Sequence, residues 1–165
     1  MNRFSQLIGV LADGQVEFIL VGGLAATAHG SARFTQDVDI VYRRTPQNIA
    51  RLAAALAPLS PYLRGAPPGL PFRWDEGTIR RGLNFTLTTT EGDLDLLGEI
   101  TGGGGYDQLL PHSLQIDLRG RKLWCLGLDR LIKVKRAAGR PKDLDAVAEL
   151  EAIREEERQQ KKGNA

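Results

Sequence analysis

Two short runs constrain this chain more than any other feature: "DVDIVY" at residues 37 to 42 and "DLDLL" at residues 93 to 97. In both, acids and apolar residues alternate with period two, the signature of a β-strand with one buried face. Strand interiors are depleted in Asp, so acids placed there call for a reason. In the first run Val38, Ile40 and Tyr42 are assigned to the core. Asp37 and Asp39 then share the opposite face, with Cβ atoms about 6.5 Å apart. In the second, Leu94 and Leu96 oppose Asp93 and Asp95. Asp93 follows the Glu91-Gly92 turn and fits the outer face of a hairpin, whereas Asp95 lies in mid-strand. If the two strands are neighbours, three or four carboxylates meet on one sheet face and repel one another unless cations neutralise them. Hard divalent cations take such oxygen ligands and share them with substrate phosphates, and two-metal phosphoryl-transfer sites cluster carboxylates in this way. The alternative is a solvent-facing strand surface that carries acids and binds nothing.

The segments around these runs supply a scaffold. Phe4, Leu7, Ile8 and Leu11 recur at helical spacing over residues 3 to 13, and Asp13-Gly14 ends that helix. "VEFILV" reads as a buried strand that stops at Gly22 and Gly23, and "GLAATAHG" as a short helix closed by Gly30. Thr45 as N-cap and Pro46 at the first helical position open a helix reaching residue 56. Residues 58 to 71 hold five prolines and two glycines and are assigned to loop. "LNFTLTTT" and "DLDLLGEI" form a hairpin about Glu91-Gly92, and "LQIDLRGRKLWCLG" forms another near Gly120. The glycines at 102 to 105 read as a flexible linker or a flap, followed by a short helix. Two further helices follow, "LDRLIKVKRAAG" and "KDLDAVAELEAIREEE". Helices and strands do not alternate regularly, so the expected class is α+β: a mixed β-sheet flanked by helices. The expected organisation is one domain over residues 1 to 157, with residues 158 to 165 a polar, frayed or disordered tail.

Composition narrows the function classes. The chain has 165 residues, 42% hydrophobic and 25% charged, the make-up of a globular protein with one core. A net charge of +2 carries no argument for nucleic acid by itself, although a local basic edge of Arg33, Lys135, Arg136, Arg140 and Lys142 is one reading. A single cysteine, Cys125, builds no disulfide framework, and no apolar run approaches the length of a membrane span, so a cytoplasmic setting is expected.

Other polar residues divide between chemistry and structure. Gly22 and Gly23 stand where a strand meets a helix, a place where missing Cβ atoms let backbone amides approach a phosphate or simply allow a tight turn. Lys135 shares a stripe with Leu128, Leu131 and Ile132; it reaches a phosphate from the core edge, or its stem packs while its ammonium snorkels to water. Arg33 precedes Asp37 by four residues and is a partner for phosphate or for that carboxylate. Lys142 is a phosphate contact or a solvated charge, and Asp143 complements its helix N-terminus. His29 and His112, far apart and without Cys or Glu at ligand spacing, make no zinc site; His29 is assigned to a helix C-terminus. Trp74 and Trp124 are assigned to the core or a pocket wall.

Taken together, Gly-Gly, thirteen intervening residues, Asp-x-Asp on a strand and a later strand acid resemble the nucleotidyltransferase superfamily of polymerase-β-like fold. The finer pattern "VGGLAATAHGSARFTQDVDI" is similar to the small bacterial proteins of this fold related to the AbiEii and MenT toxin group, in which Arg-x-Thr/Ser-x-Asp-x-Asp follows a Gly-Gly helix. "LIKVKRAAGRPKDLDAVAEL" resembles that group's C-terminal segment, so the likeness spans most of residues 16 to 152. It implies an enzyme that moves a nucleoside monophosphate from an NTP to a protein, an RNA 3′ end or a small molecule. Asp37, Asp39 and Asp95 would hold Mg²⁺ or Mn²⁺, with Asp95 also activating the attacking group. Gly22, Gly23, Arg33, Thr35, Lys135 and Lys142 would bind the nucleotide. The superfamily's glycine motif often continues with Ser, where this chain has Gly23 and Leu24; a hydroxyl to phosphate would then come from Thr27 or Thr35. The alternative is the same fold without catalysis, as a partner-binding or toxin–antitoxin component.

Overall fold

The structure, a computed structural model, describes residues 3 to 164. In chain order its helices and strands are α1 (Arg3–Asp13), β1 (Phe18–Val21), α2 (Gly22–Ala28), β2 (Asp37–Tyr42), α3 (Pro46–Leu56), β3 (Tyr62–Leu63), α4 (Glu76–Arg81), β4 (Phe85–Thr89), β5 (Gly92–Leu97), β6 (Glu99–Ile100), β7 (Gly104–Gly105), α5 (Tyr106–Leu109), β8 (Ser113–Leu118), β9 (Arg121–Leu126), α6 (Leu128–Ala138) and α7 (Pro141–Gly163). Seven strands form one open sheet in the order β3-β4-β5-β2-β1-β9-β8. Its pairings are mixed: β1 runs antiparallel to β2 and parallel to β9, while β2 runs parallel to β5. This is the expected α+β architecture, a mixed sheet flanked by helices.

Burial follows the sequence pattern. β1 is an unbroken apolar run and is buried along its whole length in the middle of the sheet. Val38, Ile40 and Tyr42 on β2, and Leu94 and Leu96 on β5, are fully buried, as the alternation requires. Both sheet faces are covered at the far end of β2, whereas its first three residues keep one face open. Helix α2 packs on β1, β2 and β9 and is backed by α6, which pairs with α7. At α3, Thr45 accepts the Asn48 N–H and Pro46 occupies the first turn. Gly139 closes α6 in the left-handed conformation, with φ of +68°. No helix among the described residues is long and apolar enough to cross a membrane.

Four expectations need correction. The proline-rich segment is not all loop. Tyr62 and Leu63, free of proline, pair with Thr88 and Leu87 as an edge strand, a sheet position that tolerates nearby prolines. The glycine run is neither linker nor flap: Gly104 and Gly105 pair with Ile100 and Glu99, and a Cβ on Gly102 would meet that of Ala137 on α6 at 2.5 Å. Helix α7 continues through the polar segment to Gly163. Glu, Arg, Gln and Lys are good helix formers, and Lys161 and Lys162 stand in its last turn, where cations suit the helix dipole. The last residue of that segment, Ala165, lies outside the described residues. Trp124 is exposed on β9, while Trp74 packs edge-on against Phe85 and donates to Ala53 O at 3.0 Å. The short helix α4, capped by Asp75 accepting from Thr78 N at 2.8 Å, had no counterpart in the sequence reading.

Candidate active site

The parallel pairing of β2 with β5 sets Asp37 opposite Asp93 and Asp39 opposite Asp95, so four carboxylates form a two-by-two block on one sheet face. Residues directly across a ladder share a face. Asp37, Asp39 and Asp95 each offer a carboxylate oxygen within 4.8 Å of the others, and all three are half-buried. The same face continues onto β4, where Thr86 pairs with Asp95 and Thr88 with Asp93. Beyond it, Arg64 follows edge strand β3 and extends its guanidinium over the block. It lies 3.0 Å from Asp95, 3.4 Å from Asp93 and 3.6 Å from Asp37.

The block is electrostatically loaded. Burial, a hydrogen bond with Asp95 and the charges of Asp37 and Asp95 push the Asp39 carboxyl up from its usual 3.8 to about 8, against the pull of Lys135. Burial and the Asp95 charge also raise Asp37, with Arg64 opposing them. Asp95 Oδ1 is buried, and Arg64 Nη2 stands 3.0 Å from it as an ion pair without a hydrogen bond between them. Converging hard oxygens whose mutual repulsion a cation would relieve form a donor set that suits a divalent cation such as Mg²⁺ or Mn²⁺. The residues present therefore fit a metal ion.

Asp37, Asp39 and Asp95 of the block line a cleft of about 640 Å³, and so does every nucleotide-binding residue expected from the sequence: Gly22, Gly23, Arg33, Thr35, Lys135 and Lys142. Gly22 is needed for Asp39, since its φ is +66° and a Cβ there would overlap that carboxylate. The first turn of α2 has no side-chain cap, and Val21, Gly22 and Gly23 at that end line the cleft. Thr35 Oγ1 fills the space a Cβ on Gly23 would take and donates to Asp37 O at 3.2 Å, seating the loop before β2. Thr27 is not on the cleft; its hydroxyl bonds Gly23 O at 3.0 Å. Arg33 pairs with Glu149 at 3.8 Å rather than with Asp37. Lys135 is half-buried, with burial lowering its pKa against the charges of Asp143 and Asp39. Buried Asp143 caps α7 and is gripped by Arg140 at 2.6 Å. His29 is the C-cap residue of α2, its Nε2 2.8 Å from Leu126 O.

Two features of the site were missed. Arg64 was hidden in a segment read as loop, and the only local signal was a proline-free Tyr-Leu-Arg between prolines. No sequence pattern marks Phe34, which stands between Arg33 and Thr35. It lines the cleft and is 86% exposed, more than any other large hydrophobic residue described.

No family model and no curated protein matches this chain. Solved structures do resemble it. The lincosamide antibiotic adenylyltransferase LnuA, with lincomycin bound, superposes with a TM-score of 0.60 at 14% identity, covering 92% of this chain and 96% of that one. A putative nucleotidyltransferase from Thermotoga maritima, TM1012, gives 0.51 at 14% identity over 99% and 96% of the two chains. ANT(2'')-Ia in complex with adenylyl-2''-tobramycin gives 0.51 at 13% identity over 94% and 97%. At such identities the likeness is one of fold, and the fold is that of nucleotidyltransferases.

Proposed function

We propose that this chain is a divalent-metal-dependent nucleotidyltransferase that moves a nucleoside monophosphate from an NTP to an acceptor. The observation that carries this reading is the convergence of Asp37, Asp39 and Asp95 to within 4.8 Å in a cleft that Gly22, Gly23, Arg33, Lys135, Arg140 and Lys142 also line. Those three carboxylates would hold the ion, which when bound supplies Lewis-acid neutralisation of phosphate charge. The chain's own residues do the rest. Lys135 and Lys142 face the triphosphate as positive charges, and the uncapped amides at Gly22 and Gly23 offer donors to its oxygens. Asp95 accepts the proton of the acceptor hydroxyl as that oxygen bonds to the α-phosphorus. The bond to the bridging oxygen breaks, and pyrophosphate leaves with the electron pair.

The resembling enzymes, one with lincomycin bound and one with adenylyl-2''-tobramycin, support a small-molecule hydroxyl as one acceptor class. The Arg33-x-Thr35-x-Asp37-x-Asp39 motif, similar to that of the AbiEii- and MenT-related group, adds RNA 3′ ends and a partner protein to the acceptors worth testing. The experiment is incubation of each α-labelled NTP with Mg²⁺ or Mn²⁺ and, in turn, small polyhydroxylated acceptors, RNA and cell protein. Label moves to an acceptor with wild type and not with Asp37→Ala. An absence of nucleotide binding at millimolar NTP with either metal sinks the reading.

A further inference from the structure

We propose that Arg64 is a built-in counter-cation of the carboxylate block, a positioning residue that holds the acids together before catalysis and keeps their affinity for a bare divalent ion low. The inference rests on the metal-binding reading of Asp37, Asp39 and Asp95.

Arg64 is tied firmly to the sheet. Its backbone N–H donates to Thr86 O at 3.0 Å, which extends the β3–β4 ladder by one residue, and its Nη2 donates to Leu87 O at 2.8 Å. From this edge the side chain crosses β4 over the short side chains of Thr86 and Thr88 and reaches β5 and β2. An arginine that serves one carboxylate can grip it through two parallel hydrogen bonds. Arg140 on Asp143 and Arg121 on Asp13 do this. Arg64 does not. It lies 3.0 to 3.6 Å from three different carboxylates, makes a directed hydrogen bond to none of them, and leaves its buried Nε without a hydrogen-bond partner among the described residues. Its contribution to the acids is therefore charge, delivered to a fixed point by a group that never deprotonates in proteins.

Two of the carboxylates it faces, Asp37 and Asp95, belong to the metal-type trio; the third, Asp93, does not. The guanidinium thus competes with a cation for the same negative field while holding the block together in the metal-free state. A bare ion meets a site already partly neutralised. An ion carried on a triphosphate also brings charges that Lys135 and Lys142 receive, so the site favours the metal–nucleotide complex over the metal alone.

The test is titration of Mn²⁺ alone, without nucleotide, at pH 8.5, followed by calorimetry and by the Mn²⁺ dependence of the melting temperature. Wild type is compared with Arg64→Gln and Arg64→Lys. In Arg64→Gln the metal-free melting temperature falls while the Mn²⁺ Kd tightens on the order of tenfold, the least that one unit charge within a few ångströms exerts on a divalent ion even at the dielectric of water. Arg64→Lys keeps the charge and stays within about threefold of wild type. If Arg64→Gln is unfolded without metal, its refolding midpoint in Mn²⁺ sets an upper bound on that Kd, and failure to refold at millimolar Mn²⁺ overturns the proposal. So does a folded Arg64→Gln that binds Mn²⁺ no tighter than a wild type that does bind it, because a merely structural arginine would lower stability without improving affinity. Absence of Mn²⁺ binding in wild type and variant alike overturns the metal reading itself, and the proposal with it.

Discussion

Replacing Asp39 with asparagine should stabilise the metal-free protein. The Asp39 carboxyl is raised from 3.8 to about 8 by burial and by its acidic neighbours, so at pH 7 the folded state holds it mostly protonated while the unfolded chain ionises it freely. One pKa unit corresponds to about 1.4 kcal/mol, and pH 7 lies about three units above the unfolded value, which puts the penalty of folding around this acid near 4 kcal/mol as a ceiling. The asparagine side chain keeps the shape without the ionisation and offers Asp95 an amide N–H, a weaker donor than the carboxyl O–H, so a gain of about 2 kcal/mol is expected. The pH dependence has a definite sign. A carboxyl whose folded pKa is raised supports the fold fully below its unfolded value, and that support is lost as pH rises through the folded value. The stability gap between Asp39→Asn and wild type therefore opens from about pH 4, widens up to about pH 8 and then levels off. Urea unfolding in EDTA at pH 5, 7 and 9 measures it. Added Mn²⁺ should reverse the order, because wild type then gains ligand-linked stability that the variant lacks. A variant no more stable than wild type at pH 9 in EDTA, or a gap that does not change with pH, refutes the reasoning.

Gly22→Ala should cost more than about 2 kcal/mol and weaken Mn²⁺ binding, because alanine is strained at φ of +66° and its Cβ would displace the Asp39 carboxylate; thermal unfolding and metal titration check both effects. Lys135→Met should raise KM for the NTP about tenfold while leaving the melting temperature unchanged or higher, since methionine keeps the packed stem and removes a desolvated charge. Phe34→Ala should leave stability within about 0.5 kcal/mol because the ring is 86% exposed. If that ring stacks on a substrate ring, substrate affinity drops about fivefold or more, and equilibrium binding distinguishes the two outcomes.

What was readable in this sequence and what was not divides along a physical line. Period-two alternation at Asp37–Tyr42 and Asp93–Leu96 fixes which side chains share a face, because a strand has no other way to present them. From that alone, three or four acids on one face followed as soon as the strands were taken as neighbours, and the β2–β5 register bears it out. Glycines at a strand-to-helix junction were equally legible as a place of close approach, but not what approaches: Gly22 makes room for the Asp39 carboxylate, a contact between residues seventeen apart. Arg64 lay beyond reach for a related reason. Its role depends on β3 joining the sheet edge, and a two-residue edge strand has too few residues to express a period and sits among prolines that argue against one. Local pattern thus encodes the acids, each of which needs only its own strand to face the cleft. The cation that balances them comes from a separate segment and is fixed only by tertiary pairing. A charge cluster read from sequence is for that reason incomplete by construction: repulsion among Asp37, Asp39, Asp93 and Asp95 demands a positive partner, and the fold decides whether that partner is a side chain, a metal ion or both in competition.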